Sequence, residues 1–284
     1  MPTGRRSGVQ AALRASPPVT EFVPGGRGGA YCDGVGRGRE GRVVSVIVTA
    51  FNAGRYLDGC LSSIVGSSHR ELDVVVVDDG SSDDTAEIID RWARREARVR
   101  PVLTAHVGRR QALATAHDLA EGDVHCWVDA DDEVHPNGVA TCLARVDAEH
   151  QLVYSYRELI NAEGGSLGPH SKNRVVYRPM QLLVDNMIFH LRMFTAELLA
   201  QAGGVGDLGS AIDWDMNLRM AELTSPVCVP RVLYRYRVHD DRMSASHSQL
   251  VCGQVAVRRA IERRGLDVDL SVERGVWRLR GRTT

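Results

Sequence analysis

Three acidic clusters have residue types and spacing that could do chemistry: Asp78 and Asp79 in VVVVDDGSSDD, Asp129, Asp131 and Asp132 in WVDADDEVHP, and Asp213 and Asp215 in AIDWDMNLRM. The second is the sharpest. Three carboxylates within four positions at the end of an apolar run repel one another unless a cation or water offsets them, and Asp129 and Asp131 project to the same side of an extended segment. A hard cation such as Mg2+ or Mn2+ takes one or two protein carboxylates together with substrate phosphate oxygens, which is what this motif can provide. The plain alternative for such a triplet is a solvated acidic turn.

The elements around these clusters follow from periodicity. VVSVIVTA is an apolar strand, and Ala53 to Val65 then places Tyr56, Leu57, Cys60, Leu61 and Ile64 at helical spacing. LDVVVV from Leu72 is a second buried strand running into Asp78 and Asp79, with GSSDD as the turn and Ser81 or Ser82 as the expected helix cap. Ile88, Ile89 and Trp92 form one helical stripe, a short strand spans Val99 to Leu103, a helix starts near Arg110, and VHCWVDA is a fourth strand. Strands alternating with helices predict an α/β fold, a Rossmann-like mostly parallel sheet flanked by helices. Open sheets of that kind bind ligands at the C-terminal ends of their strands, where these acids lie.

The 284 residues carry 35 basic and 36 acidic side chains, a net charge of −1 that hides segregation. Residues 1–42 hold 7 basic and 3 acidic groups, residues 251–284 hold 8 and 4, and residues 43–250 hold 20 and 29, a net −9. An acidic folded part, with aromatic residues at 5%, argues against a nucleic-acid binder. Residues 1–42 read as a disordered Gly/Arg-rich leader, residues 43–250 as a single catalytic domain, and residues 251–284 as a basic helix and tail. Gly36, Gly38 and Gly41 satisfy a GxGxxG pattern but precede the first strand, where a dinucleotide fingerprint must follow one. The six cysteines contain no CxxC pair, and no stretch reaches about 18 consecutive apolar residues, so neither a zinc site nor a membrane span is expected. A cytoplasmic setting with at most peripheral membrane contact is the expectation.

SVIVTAFNAGRYL, VVVVDDGSSDDT, WVDADDEVHP, the DWDMNLR segment and LYRYRVH resemble, in order and spacing, the family 2 glycosyltransferases of GT-A fold, over roughly Val44 to Ser246. The resemblance implies an inverting transferase using a nucleotide-diphosphate sugar and a divalent metal, Mg2+ or Mn2+. It implies a nucleotide-sugar half at 43–132 and an acceptor half at 133–250, the acceptor being a saccharide, lipid carrier, peptide or small metabolite. By position, Thr49 and Phe51 line the base site, Asp79 holds base or ribose, Asp131 is the metal ligand, and Asp129 and Asp132 assist at the ribose or metal shell. Asp78 is read instead as an Asx turn.

The chain departs from the family at several places. Phe51 stands where tyrosine is frequent, His106 where asparagine is, Leu113 and Ala114 where an arginine-asparagine pair is, and Ile212 where a glutamate precedes the base. Arg109 or Arg110 is a candidate for diphosphate, or else an exposed helix-start arginine. Asp213 and Asp215 diverge by about 200° on a helix, so both cannot face a donor. Asp215 lies four before Arg219 and can pair with it, while Asp213 matches the family's general base. His239 either joins the metal or diphosphate or is satisfied by a neighbouring carboxylate such as Asp240 or Asp241. Trp214 is core or an acceptor-side aromatic, and His190 is placed toward the acceptor. Two other functions remain in view: a nucleotidyltransferase on a related fold, which would carry a glycine-rich basic loop where TAFNAGRYL stands, and a noncatalytic nucleic-acid binder.

Overall fold

The computed structural model describes residues 41–174, 177–239, 247–273 and 276–281. The expected leader, apart from Gly41 and Arg42, lies outside the described residues, as do Asp240 and Asp241.

The chain runs β1 (Val44–Ala50), α1 (Gly54–Val65), β2 (Leu72–Asp78), α2 (Thr85–Arg95), β3 (Val99–Leu103), α3 (Arg109–Leu119) and β4 (Val124–Asp129). It continues through β5 (Glu133–Val134), α4 (Gly138–Leu143), β6 (Leu152–Ile160), β7 (Ser166–Pro169), β8 (Arg192–Thr195), α5 (Ala196–Gln201), α6 (Ile212–Met220) and β9 (Val227–Arg237). A last helix, α7 (His247–Arg263), precedes β10 (Val268–Glu273) and β11 (Val276–Gly281).

The main sheet has the order β3-β2-β1-β4-β8-β6-β9-β5, with β7 beside β6. Its first four strands are parallel, and β8 then reverses direction against both β4 and β6. Strands β1 and β2 are Val/Ile-rich, and β4 is buried through Val128, because both faces of these strands are covered. Val44, Val46 and Val48 join Val74, Val76 and Val128 in one core with α1, α2 and α4, while Ile47, Val75, Val77 and Trp127 join a second core with α3, α6 and α7. The period of two along each strand thus sorts side chains between two helical layers.

Two expectations are corrected. Helix α2 begins at Thr85, and its first turn is tied by Asp83, whose Oδ1 accepts from the Thr85 amide at 3.1 Å, so neither Ser81 nor Ser82 caps it. After α7 the expected tail is a hairpin. Leu270 pairs with Leu279 and Val272 with Trp277, and these side chains pack on the second core while Asp269, Glu273, Arg278 and Arg280 face solvent. The alternation is present in the sequence, but the arginines of the outer face dominate the composition there.

A buried histidine pair lies between α3 and β4. His117 and His125 stack at 5.0 Å with their Nδ1 atoms 2.9 Å apart, and burial, aided by His125 and Arg192, pushes His117 down to about 3. A histidine depressed in the folded state binds its proton only after unfolding, so its contribution is complete above the ordinary value of 6.5 and is lost as pH falls toward 3. Urea unfolding between pH 7 and pH 4 is expected to show stability falling on acidification. In His117→Leu the slope should be shallower by up to about 1.4 kcal/mol per pH unit.

Candidate active site

Parallel register aligns the strand ends that carry the acids. Ala50 lies opposite Asp78, and Thr49 opposite Asp129, so the loops leaving β1, β2 and β4 emerge at one edge. Two of those loops are stitched together before any ligand is considered. The Asn52 amide donates to Ser81 Oγ at 2.8 Å, the Ser82 amide donates to Asn52 Oδ1 at 2.9 Å, and Asp78 Oδ1 accepts from the Ser81 amide at 3.0 Å in the expected Asx turn.

Asp79 is 4% exposed and organises the loop that leaves β3. Its carboxylate accepts from the amides of Val107 at 2.6 Å and Gly108 at 2.9 Å and from Thr104 Oγ1 at 3.0 Å. His106 Nδ1 lies 3.0 Å from the Asp79 carbonyl, which can only accept, so Nδ1 carries a proton and donates it. The His106 ring stacks on Phe51 at 4.3 Å, and Phe51 is 49% exposed. Asp79 therefore acts through the loop it holds, and an aromatic pair, Phe51 and His106, stands at the mouth beside half-buried Thr49. Gly80 has φ +76°, and a Cβ there would lie 2.7 Å from the His106 amide nitrogen, so this turn admits only glycine.

The three acids after β4 are offset in three different ways. Arg109 Nη2 meets Asp129 Oδ1 at 2.5 Å. Burial favours the neutral form of Asp129, yet Arg109, with His190 and Arg192, outweighs it and holds this carboxyl below its usual range. Asp132 is 1% exposed, and burial together with Asp131 and Asp129 raises it well above the carboxylate range. Its Oδ1 accepts the Arg237 amide at 2.7 Å, so it supports the loop from beneath and does not open onto the mouth. Asp131 remains, partly exposed, with Oδ2 2.9 Å from His239 Nε2. Two cis ligands of an octahedral ion at about 2.1 Å stand about 3.0 Å apart, so this oxygen and nitrogen fit one Mg2+ or Mn2+. Among the described residues no group of three or more such side chains could hold a metal.

Arg237, missed in the sequence reading, is the strut of this loop. Its guanidinium donates to the Asp131, Asn161 and Ala162 carbonyls at 2.7, 3.0 and 3.0 Å and to Glu133 Oε1 at 2.7 Å. Its only sequence signal is its place two before His239.

On α6 the two acids separate as helical geometry requires. Asp215 is buried against Arg219, whose Nη2 lies 2.8 Å from Oδ2, whereas Asp213 is half-buried and accepts from Asn186 Nδ2 at 2.9 Å. Arg109, Arg157, His190 and Arg192 all lie within electrostatic reach of Asp213. Arg109 joins Asp213 to the acid loop, since it is pulled up by Asp129, Asp213 and Asp131 against the opposing effect of its burial. Arg110 instead points to the Gly206 carbonyl. His190 is 8% exposed, stacks on Tyr234 at 5.1 Å and is pushed down to about 4 by burial. Trp214 donates to the Leu182 carbonyl at 2.8 Å and meets Trp277 edge-on, which makes it core.

Solved structures share this architecture. S. aureus TarS 1-349 in complex with UDP-GlcNAc matches with TM-score 0.64 at 20% identity, over 80% of this chain and 68% of that one. Mannosyltransferase PcManGT from Pyrobaculum calidifontis, in complex with GDP-Man and Mn2+, matches with TM-score 0.54 at 21% identity, over 78% of this chain and 74% of that one. Both likenesses define the class of fold, the GT-A type. The model of glycosyl transferase family 2 matches residues 45–201, and the chain belongs to that family. Chondroitin synthase of Escherichia coli is 29% identical over 205 residues, 71% of this chain but 30% of that protein, so the chain spans under a third of this relative's length. Glycosyltransferase GlyG of Streptococcus pneumoniae serotype 4 is 32% identical over 122 residues, 41% of this chain and 40% of that protein.

Gly80→Ala is expected to destabilise the protein by about 1–3 kcal/mol, because the residue would be held at positive φ against the His106 backbone. Urea unfolding checks this, and an unchanged midpoint would show that the loop can move aside.

Proposed function

We propose that this chain is a metal-assisted, inverting glycosyltransferase that moves a sugar from a nucleotide-diphosphate sugar to an acceptor hydroxyl. The observation that supports the reading is that Arg109, paired to Asp129, lies within electrostatic reach of both Asp131 and Asp213, with Asp131 against His239 and Phe51 stacked on His106. UDP-GlcNAc in TarS and GDP-Man with Mn2+ in PcManGT support a nucleotide-sugar donor and a divalent ion.

In this reading the exposed Phe51 face takes the base, His106 Nε2 offers a hydrogen-bonding atom beside it, and Asp79 shapes the loop that presents His106. Asp131 and His239 hold the ion, which when bound offsets charge on the diphosphate leaving group. Asp129 stays paired to Arg109, whose guanidinium is the nearby cation for diphosphate oxygens. Asp132 has no ligand role in this scheme because it is buried. Asp213 takes the proton of the acceptor hydroxyl as its oxygen attacks the anomeric carbon. The bond from that carbon to the diphosphate oxygen breaks, and the electron pair leaves with the nucleoside diphosphate. Holding acceptor, base and anomeric carbon in line provides much of the acceleration.

A panel of nucleotide-diphosphate sugars with Mn2+ is expected to show one or more donors bound, with slow release of nucleoside diphosphate even without acceptor. Asp131→Ala should abolish the release. No bound or hydrolysed donor, together with an inert Asp131→Ala, overturns the proposal. Asp213→Asn should keep donor binding and lower transfer by about 10²-fold or more. Full transfer in that variant would remove Asp213 as the base.

A further inference from the structure

Behind Asp213 runs a chain of side-chain hydrogen bonds that starts at a fully buried guanidinium. Arg192, on β8, is 0% exposed, lies over the Trp127 ring at 4.9 Å, and donates from Nη1 to Asn217 Oδ1 at 3.1 Å. Asn217, on α6, donates from Nδ2 to the Ile188 carbonyl and to Asn186 Oδ1, both at 3.0 Å. Asn186 then donates from Nδ2 to Asp213 Oδ2 at 2.9 Å.

Every orientation in this chain is forced. Arginine only donates, so the Asn217 atom facing it is the amide oxygen. A backbone carbonyl only accepts, which places the Asn217 nitrogen toward Ile188 and therefore toward Asn186. Asn186 must then present its oxygen to Asn217 and its nitrogen to Asp213. The ambiguity that usually attends an amide is removed by an obligatory donor at one end and an obligatory acceptor in the middle. Asp213 Oδ2 is thereby held as an acceptor and the carboxylate plane is pinned, while Oδ1 has no partner among the described residues.

We propose that Asn186 is the positioning residue of the base: it occupies Asp213 Oδ2 and leaves Oδ1 to take the acceptor proton, with Asn217 and Arg192 fixing the direction of its amide. This rests on the reading of Asp213 as base. The arrangement gives a carboxylate two unequal oxygens, one structural and one reactive. It also places the positive charge of Arg192 behind the structural oxygen at the far end of a neutral relay.

The test is an isosteric change. Asn186→Asp keeps the oxygen that accepts from Asn217 but turns the donor facing Asp213 into a second acceptor. The expected outcome is a fall in kcat of about 10²-fold with donor KM and nucleoside-diphosphate affinity unchanged, as for a misplaced reacting group. In an Asp213→Asn background the same change should cause no further loss, because the residue it acts through is gone. Asn217→Asp, which frees the Asn186 amide to turn over, should act in the same direction. Equal losses in kcat and donor affinity, or losses that add in the double variant, would mark Asn186 as merely structural and overturn the inference. The two readings separate cleanly. Transfer retained in Asp213→Asn removes the base itself, whereas an inactive Asp213→Asn beside a fully active Asn186→Asp removes only the relay.

Discussion

The structure depends on how three carboxylates are tolerated at the end of a buried strand. Left alone, Asp129, Asp131 and Asp132 would repel one another and lose hydration at once. The fold answers each one separately: Arg109 from α3 pairs with Asp129, burial raises the Asp132 carboxyl well above its usual range while its Oδ1 accepts the Arg237 amide, and His239 faces Asp131. Arg237 then clamps the loop backbone from the Asp131 carbonyl to Ala162. With Asp129 paired to Arg109 and Asp132 buried, Asp131 is the partly exposed acid of the three, beside His239.

That local solution explains why distant elements must meet. Arg109 begins α3, His239 follows β9, and both reach the acid loop because the sheet order places β1 and β4 side by side while β9 returns beside β5. The neighbouring loops need the same precision, supplied by Asp79 to the His106 turn and by Asn52 to the two serines. Asp213 is brought in from the other helical layer, and its ties run inward through Asn186 and Asn217 rather than along the surface. The site is therefore built by contacts between loops as much as by the strands that launch them.

Much of the fold was legible because burial on both faces leaves a plain signature. The Val/Ile-rich β1 and β2, the apolar β4 and the stripe Ile88, Ile89, Trp92 could be read directly, and the acids marked the strand ends. The hairpin after α7 escaped, since Leu270, Val272, Trp277 and Leu279 alternate with charged residues that look like a tail. At the site, the separation of Asp213 from Asp215 followed from helical geometry. The buried state of Asp132, the loop-building role of Asp79 and the place of His190 did not, because sequence spacing shows where an acid or imidazole stands but not which amides and rings surround it. Asn186 and Arg192 carried no sequence signal, as their meaning comes only from partners about 25 to 30 positions away.

We propose that the acid loop leaves Asp131 as the cation ligand, with Asp129 paired to Arg109 and Asp132 buried. Electron paramagnetic resonance of Mn2+ titrated into the protein with a nucleoside diphosphate tests it directly, using wild type and Asp131→Asn. The account predicts one bound Mn2+ per chain in the wild type and loss of that site in Asp131→Asn. Equal Mn2+ binding by the two proteins would contradict it.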